Sequence, residues 1–162
     1  QFDEVCHFVG RPAGCGVAPG EMKISALYAV SSYALLVQER TDTHTKVYRV
    51  DVSAATNILG SQWDTQAAAP TASTTALETL SAPSASGVTV LPKTLTVDVT
   101  ALPGIPGKVE GIAMPRNNVL VIGNDNDFGL VDTATFTSAG QLSNDTQVKS
   151  KLIFIDLATA VN

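Results

Sequence analysis

KISALYAVSSYALLVQER, residues 23–40, and KVEGIAMPRNNVLVIGND, residues 108–125, align without a gap and decide the fold. Both begin with lysine, and apolar residues coincide at positions 24 and 109, 27 and 112, 35 and 120, and 37 and 122. Each copy is followed by a loop and then by a similar strand, KVYRVDV from Lys46 and KLIFIDL from Lys151. Two unrelated apolar hairpins can also look alike, but the ungapped match and the repeated lysine favour an internal repeat.

The repeat predicts an all-β protein built from propeller-type blades. LTVDV, which ends in Val99, supplies a fourth strand to the first copy, and four antiparallel strands form the blade of a β-propeller. No segment keeps an amphipathic helical period over three turns. The predicted strands are short and rich in β-branched residues: residues 24–30, 34–38, 47–52, 95–99, 109–113, 119–122 and 152–157.

The chain divides into an arm and two blades. We expect residues 1–20 to form an N-terminal arm, 21–107 the first blade and 108–162 the second. Residues 65–87, mostly Ala, Ser, Thr and Pro, read as a long loop inside the first blade. Because a closed propeller needs about four to eight blades, we expect further blades from the same precursor or from other protomers. The start at Gln1 rather than Met suggests a removed upstream segment.

Composition excludes some classes of function. With 162 residues and 44% hydrophobic residues, the chain can bury a core. A net charge of −5 argues against a nucleic-acid binder, which needs clustered Lys and Arg. No apolar run approaches the ~20 residues of a membrane span.

The two cysteines and one sequon favour an exported protein. Cys6 and Cys15 flank a Gly- and Pro-rich stretch that can bring them together, so we predict a disulfide that closes the arm. Free thiols and a metal site with His7 are the alternatives. Asn144 begins a formal N-glycosylation sequon.

NDNDFG, residues 124–129, places four oxygen-bearing side chains directly after a strand. Ca²⁺ takes six to eight oxygen ligands of this kind, and Glu110 on the neighbouring strand can join them. The alternative is an Asx-rich turn, in which Asn and Asp cap their own backbone. An aspartate recurs within three predicted strands, at Asp51, Asp98 and Asp156. This recurrence favours a structural role in turn or loop hydrogen bonding for these residues.

Glu39 and Arg40 hold the positions of Asn124 and Asp125 in the first repeat. We therefore expect Glu39, Arg40, Glu110, Asp125 and Asp127 to meet at one mouth of the propeller. Arg40 is suited to bind a carboxylate or phosphate in bidentate fashion. The alternative is an ion pair that neutralises charge between blades.

The motifs LLVQER, KVYRVDVSAATNI, LPKTLTVDV, KVEGIA, NDNDFG and KLIFIDL resemble, in this order, the C-terminal part of the phytase-like family. The resemblance spans residues 35–157 and implies a secreted or periplasmic propeller protein. It also implies calcium dependence and the hydrolysis of phosphate or carboxylic esters.

The resemblance and the repeat together define candidate roles for the polar residues. The catalytic candidates are Glu39, Arg40, Glu110 and Asp125. The calcium ligands would be Glu110, Asn124, Asp125 and Asp127. The candidate substrate-binding residues are Arg40 and Lys93, the second of which the family pattern retains.

Two classes of function follow. The first is a secreted or periplasmic calcium-dependent ester hydrolase, of which this chain is the C-terminal portion. The second is a non-enzymatic extracellular propeller module for binding or assembly, with calcium in a structural role. No nucleophile elbow or glycine-rich phosphate loop is present in the sequence, so hydrolysis would have to be metal-assisted.

Overall fold

Two antiparallel β-sheets follow one another along the chain. The computed structural model describes residues 8–10, 19–59, 61, 63, 77, 87–131, 133–144 and 147–161. Sheet A contains, in spatial order, β1 (Lys23–Ala29), β2 (Ala34–Arg40), β3 (Thr45–Asp51) and β4 (Lys93–Asp98). Sheet B contains β5 (Val109–Arg116), β6 (Val119–Asn124) and β7 (Leu152–Asp156).

The two sheets share their strand register over most of each hairpin; β5 and β6 have one further register shift near their turn, between Ala113 and Arg116. Leu27 faces Val37 across β1 and β2, as Ile112 faces Ile122 across β5 and β6. Both hairpins also carry a β-bulge at the same place, between residues 24 and 26 and between residues 109 and 111. β3 and β7 are the third strands of their sheets. The predicted repeat of residues 23–40 and 108–125 is therefore confirmed as a structural repeat.

Each sheet has two faces that the repeat makes equivalent. We give the name front face to the side that carries Leu36 in sheet A and Val121 in sheet B. These two residues hold matched positions of the repeat. The back face carries Val37 in sheet A and Ile122 in sheet B. Because side chains alternate along a strand, these neighbouring residues point to opposite sides.

The core lies between the front face of sheet A and the back face of sheet B. Leu36 and Val47 from sheet A pack with Leu120, Ile122 and Ile155 from sheet B, and all five side chains are buried. Full burial of an aliphatic side chain of this size stabilises the fold by about 1.5–3 kcal/mol. This packing holds the two sheets together.

Two polar contacts cross the same interface. The Tyr28 hydroxyl donates to the Met114 carbonyl at 3.1 Å. The Gln38 amide donates to the Val109 carbonyl, and both groups are buried. The contacts fix β1 and β2 against β5.

The all-β class and the seven predicted strands are confirmed; four strands begin at the predicted residue, and the other strand limits differ by one to three residues. Sheet A has the four strands of a blade, whereas sheet B has three among the described residues, and no closed ring of sheets is found in that part of the chain. The propeller and the limits of the arm and blades stay predictions.

Several expectations concern residues outside the described ranges. Cys6, Cys15 and His7 are among these, as is almost all of the predicted loop 65–87. Asn144 is described, and its side chain bonds to Thr135 and Thr133 within its own loop. Among the described residues, no helix has the length and apolar character needed to cross a membrane.

Candidate functional site

Most of the predicted site residues lie at one end of the two sheets. Strand direction alternates in each sheet, so the ends of β2 and β6 lie beside the starts of β3, β5 and β7. The polar groups at this end form two clusters, one around Arg40 and one around Lys108.

Arg40 is the centre of the first cluster. Its side chain is 5% exposed and donates to the Ser25 hydroxyl at 2.8 Å and to the Asp42 carboxylate at 3.1 Å. It also forms an ion pair with Glu110 on sheet B. Lys23 approaches the same Asp42 carboxylate at 3.7 Å. Arg40 therefore joins the two sheets, and its guanidinium is already engaged.

Lys108 and Asp127 form the second cluster, in the turns that precede β5 and follow β6. The Lys108 ammonium is hydrogen-bonded to the Asp127 carboxylate. The Asp127 amide donates to the Asp125 carboxylate at 2.8 Å, and the Asp125 amide donates to the Lys108 carbonyl at 2.9 Å. These contacts close a small ring of polar groups around a pocket of about 320 Å³.

The backbone of the second cluster is unusual. Lys108, Asp127 and Phe128 have φ values of 51°, 50° and 57°, in the left-handed region that side-chain-bearing residues seldom adopt. Strain of this kind concentrates at functional sites. Phe128 is also almost fully exposed beside the pocket.

Gly107 allows the approach of this segment to sheet A. A Cβ atom at Gly107 would lie 2.7 Å from the carbonyl oxygen of Asp42, too close for any other residue without a backbone shift. The Lys108 amide donates to that same carbonyl at 3.1 Å. Asp42 thereby contacts both clusters, through its carboxylate and through its backbone.

The ion pair sets the charge states of the second cluster. The hydrogen bond from Lys108 holds the pKa of Asp127 below its usual 3.8. The same bond raises the pKa of Lys108 above its usual 10.5. Both groups are therefore charged at neutral pH, and the pocket contains an ammonium beside carboxylates.

Asn124 and Asn126 hold the loop before β7. Asn124 accepts from the Lys151 amide at 2.8 Å and donates to the Lys149 carbonyl at 3.3 Å. Asn126 donates to the Val148 carbonyl at 3.3 Å. Within residues 124–127, the bond from the Asp127 amide to the Asp125 carboxylate is a local Asx contact, whereas both asparagine side chains bond to the loop before β7.

Glu39 and Lys93 lie elsewhere. Glu39 is 4% exposed and pairs with Lys93 at 2.6 Å, and the Lys93 ammonium sits 4.3 Å from the centre of the Tyr48 ring. This pair lies on the back face of sheet A, whereas Arg40 points to the front face. The expected meeting of Glu39 with Arg40, Glu110, Asp125 and Asp127 at one mouth is not observed, because consecutive residues of a strand point to opposite sides.

The oxygen atoms at this end of the sheets are of the kind that calcium binds, but they are too few. Asp125 and Asp127 offer hard carboxylate oxygens beside the pocket, but Asp127 is neutralised by Lys108 and Glu110 by Arg40. No three His, Cys, Asp or Glu side chains of the described residues come close enough to hold a metal ion. A calcium ion here would need oxygens beyond these residues.

Two residues of this end, Asp42 and Gly107, were not predicted from the sequence, and the pairing of Lys108 with Asp127 was not predicted either. The roles of Asp42 and Gly107 depend on a contact between residues far apart in the chain, which no local pattern reveals.

These features define an all-β protein with two stacked sheets of one repeat and an ionic cluster at one end. A family model described as phytase-like, esterase-like activity of phytase, matches residues 8–128. The chain belongs to this phytase-like family. No curated protein and no solved structure matches it.

Proposed function

We propose that this chain is part of a hydrolase that cleaves phosphate or carboxylic esters. The observation that carries the proposal is the family match over residues 8–128, whose description indicates a hydrolase-like function. The matched region ends at Phe128 and therefore includes both ionic clusters. We take the pocket beside Lys108, Asp125 and Asp127 as the site.

The pocket supplies groups suited to an anionic ester. Lys108 carries a positive charge at neutral pH and can bind a phosphate or carboxylate by charge-assisted hydrogen bonds. Asp125 lines the pocket, and its carboxylate would accept a proton from an attacking water, as a general base does. Arg40 and Glu110 hold the neighbouring β5 in place and would act on the substrate indirectly.

We propose calcium as the cofactor of this site. Its ligands from this chain would be the carboxylates of Asp125 and Asp127. The ammonium of Lys108 would compete with the calcium ion for the Asp127 carboxylate. A bound calcium ion would supply charge that polarises an ester oxygen. The remaining ligands would come from other parts of the complete protein.

We also propose that the protein is exported, to the cell exterior or the periplasm, and that this chain is the C-terminal portion of a larger propeller. The predicted Cys6–Cys15 disulfide and the family resemblance support this location. The presence of two similar blade-like sheets in one chain supports the propeller.

Hydrolysis of p-nitrophenyl phosphate and p-nitrophenyl acetate tests the proposal. We expect the complete protein, which supplies the remaining calcium ligands, to hydrolyse at least one of them, to lose the rate with EGTA and to regain it with calcium. Asp125→Asn should lower the rate, whereas Glu39→Gln, on the other face of sheet A, should not. An equal rate in Asp125→Asn and in the unaltered chain would exclude the assigned site.

A non-enzymatic module is the second candidate. It is favoured by the engagement of Arg40, Glu110, Glu39 and Lys93 in ion pairs within the chain. This candidate predicts that calcium raises the melting temperature without any hydrolysis of either ester. Hydrolysis that depends on Asp125 separates the two candidates.

A further inference from the structure

Phe128 is an exposed aromatic residue at the rim of the candidate site. It directly follows Asp127, which lines the pocket, and its side chain is 89% exposed. The Gly129 amide donates to the Asn126 carbonyl at 2.8 Å, and the Leu130 amide donates to the Asp127 carbonyl at 2.9 Å. These two hydrogen bonds close a tight turn that has Phe128 at its tip.

The local structure gives no reason for a phenylalanine at this position. The φ of 57° at Phe128 lies in the left-handed region, which glycine adopts readily but which is unfavourable for a residue with a Cβ atom. Exposure also forgoes the free energy that burial of an aromatic ring contributes. Residues that break such local rules are typical of functional sites. The exposed ring is therefore suited to contact another molecule rather than to support the fold.

The pocket beside Phe128 combines charged and apolar groups. Lys108 and Asp127 supply charge, and the half-exposed Val148 is an apolar lining residue. Asp127 uses one of the three N–H donors of the Lys108 ammonium, so two remain to bind an anion. Asp125 and Asp127 weaken the attraction for that anion, because like charges repel. An apolar contact must then supply much of the affinity for an anionic ester.

We propose that Phe128 binds the alcohol part of the substrate by ring stacking, and that the substrate is an anionic ester of an aromatic alcohol, such as an aryl phosphate. The proposal rests on the proposed function, because it concerns the substrate of the same pocket. Neighbouring Cα atoms lie about 3.8 Å apart, so the Phe128 ring is within reach of a ligand that Lys108 binds beside Asp127. Two aromatic rings in offset or edge-to-face contact attract each other beyond the effect of burial. A polyol ester offers no flat apolar surface to this ring.

Binding of phenyl phosphate and of inorganic phosphate to chain 1–162, followed by backbone amide chemical shifts, tests the proposal. We expect phenyl phosphate to bind about fivefold more tightly than inorganic phosphate, as one aromatic contact allows. Phe128→Ala should remove this difference and leave the dissociation constant of inorganic phosphate unchanged. Tyr33→Ala, at an exposed aromatic residue between β1 and β2 at the opposite end of sheet A, is the matched control and should keep the difference.

Two further variants separate a contact with the ligand from a change in the fold. Phe128→Tyr keeps the ring and should retain the preference for phenyl phosphate. Phe128→Gly removes the ring but suits the left-handed backbone, so it should lose the preference without lowering the melting temperature. A lowered melting temperature in Phe128→Gly would assign Phe128 a role in the fold and contradict the proposal.

The two ligands also separate a failure at Phe128 from a failure of the whole site. Suppose that inorganic phosphate shifts residues 107–110 and 125–129, but that phenyl phosphate binds no more tightly or that Phe128→Ala keeps the preference. That result overturns the role of Phe128 and leaves the proposed site in place. If neither ligand shifts these residues, the site and the role of Phe128 are both excluded.

Discussion

The ion pair between Arg40 and Glu110 joins the two sheets, so its removal should weaken the packing of the whole chain. The Arg40 side chain is 5% exposed and that of Glu110 is 39% exposed. Breaking a fully buried pair costs about 3–5 kcal/mol, but solvent screens the Glu110 side. Asp42 and Ser25 also remain as partners of Arg40 in Glu110→Ala. We therefore expect Glu110→Ala to lower the free energy of unfolding by about 2 kcal/mol.

A double-mutant cycle isolates the pair. Arg40→Met leaves Glu110 and Asp42 accessible to water, so the double variant should be less destabilised than the sum of the single variants. We expect a coupling energy of about 1–2 kcal/mol from urea unfolding at fixed protein concentration. Arg116→Ala, at the far end of β5, is the control and should add to Glu110→Ala within about 0.5 kcal/mol. A coupling energy near zero for Arg40 and Glu110 would refute the bridging role.

Three further predictions concern the same end of the molecule and the interface. Gly107→Ala should lower the free energy of unfolding by about 1–3 kcal/mol, because the new methyl group forces the Asp42 carbonyl away from the Lys108 amide; thermal unfolding measures it. The pKa of Asp127 is lowered, so its pair with Lys108 contributes stability above pH 3.8 that is lost as the pH falls through the folded-state pKa. An NMR titration of the Asp127 carboxyl group should give a midpoint below 3.8, and a midpoint at 3.8 would contradict the pair. Tyr28→Phe should lower the free energy of unfolding by about 1 kcal/mol, because it leaves a carbonyl of β5 without its donor. An unchanged free energy of unfolding in urea would exclude that hydrogen bond as a stabilising contact.

The strands and their repeat could be predicted from the sequence because both are local. Alternating apolar residues and an ungapped alignment fix which residues form strands and which strands correspond. The alignment of Lys23 with Lys108 was correct, since these residues begin equivalent hairpins that share one bulge.

The candidate site could be predicted only in part. The alignment of Glu39 and Arg40 with Asn124 and Asp125 was correct, but the alternation of side chains within β2 sends Glu39 to the opposite face from Arg40. Gly107 and Asp42 meet through a backbone contact between distant segments, which depends on how the sheets stack.

Backbone amide chemical shifts of chain 1–162, titrated separately with calcium and with inorganic phosphate, test the central claim most directly. We expect both ligands to shift the amides of residues 107–110 and 125–129, and Lys108→Met to abolish the phosphate shifts. Residues around Glu39 and Lys93 should stay unchanged and serve as the internal control. Shifts confined to the Glu39 region, or none at residues 107–110 and 125–129, would contradict the placement of the site.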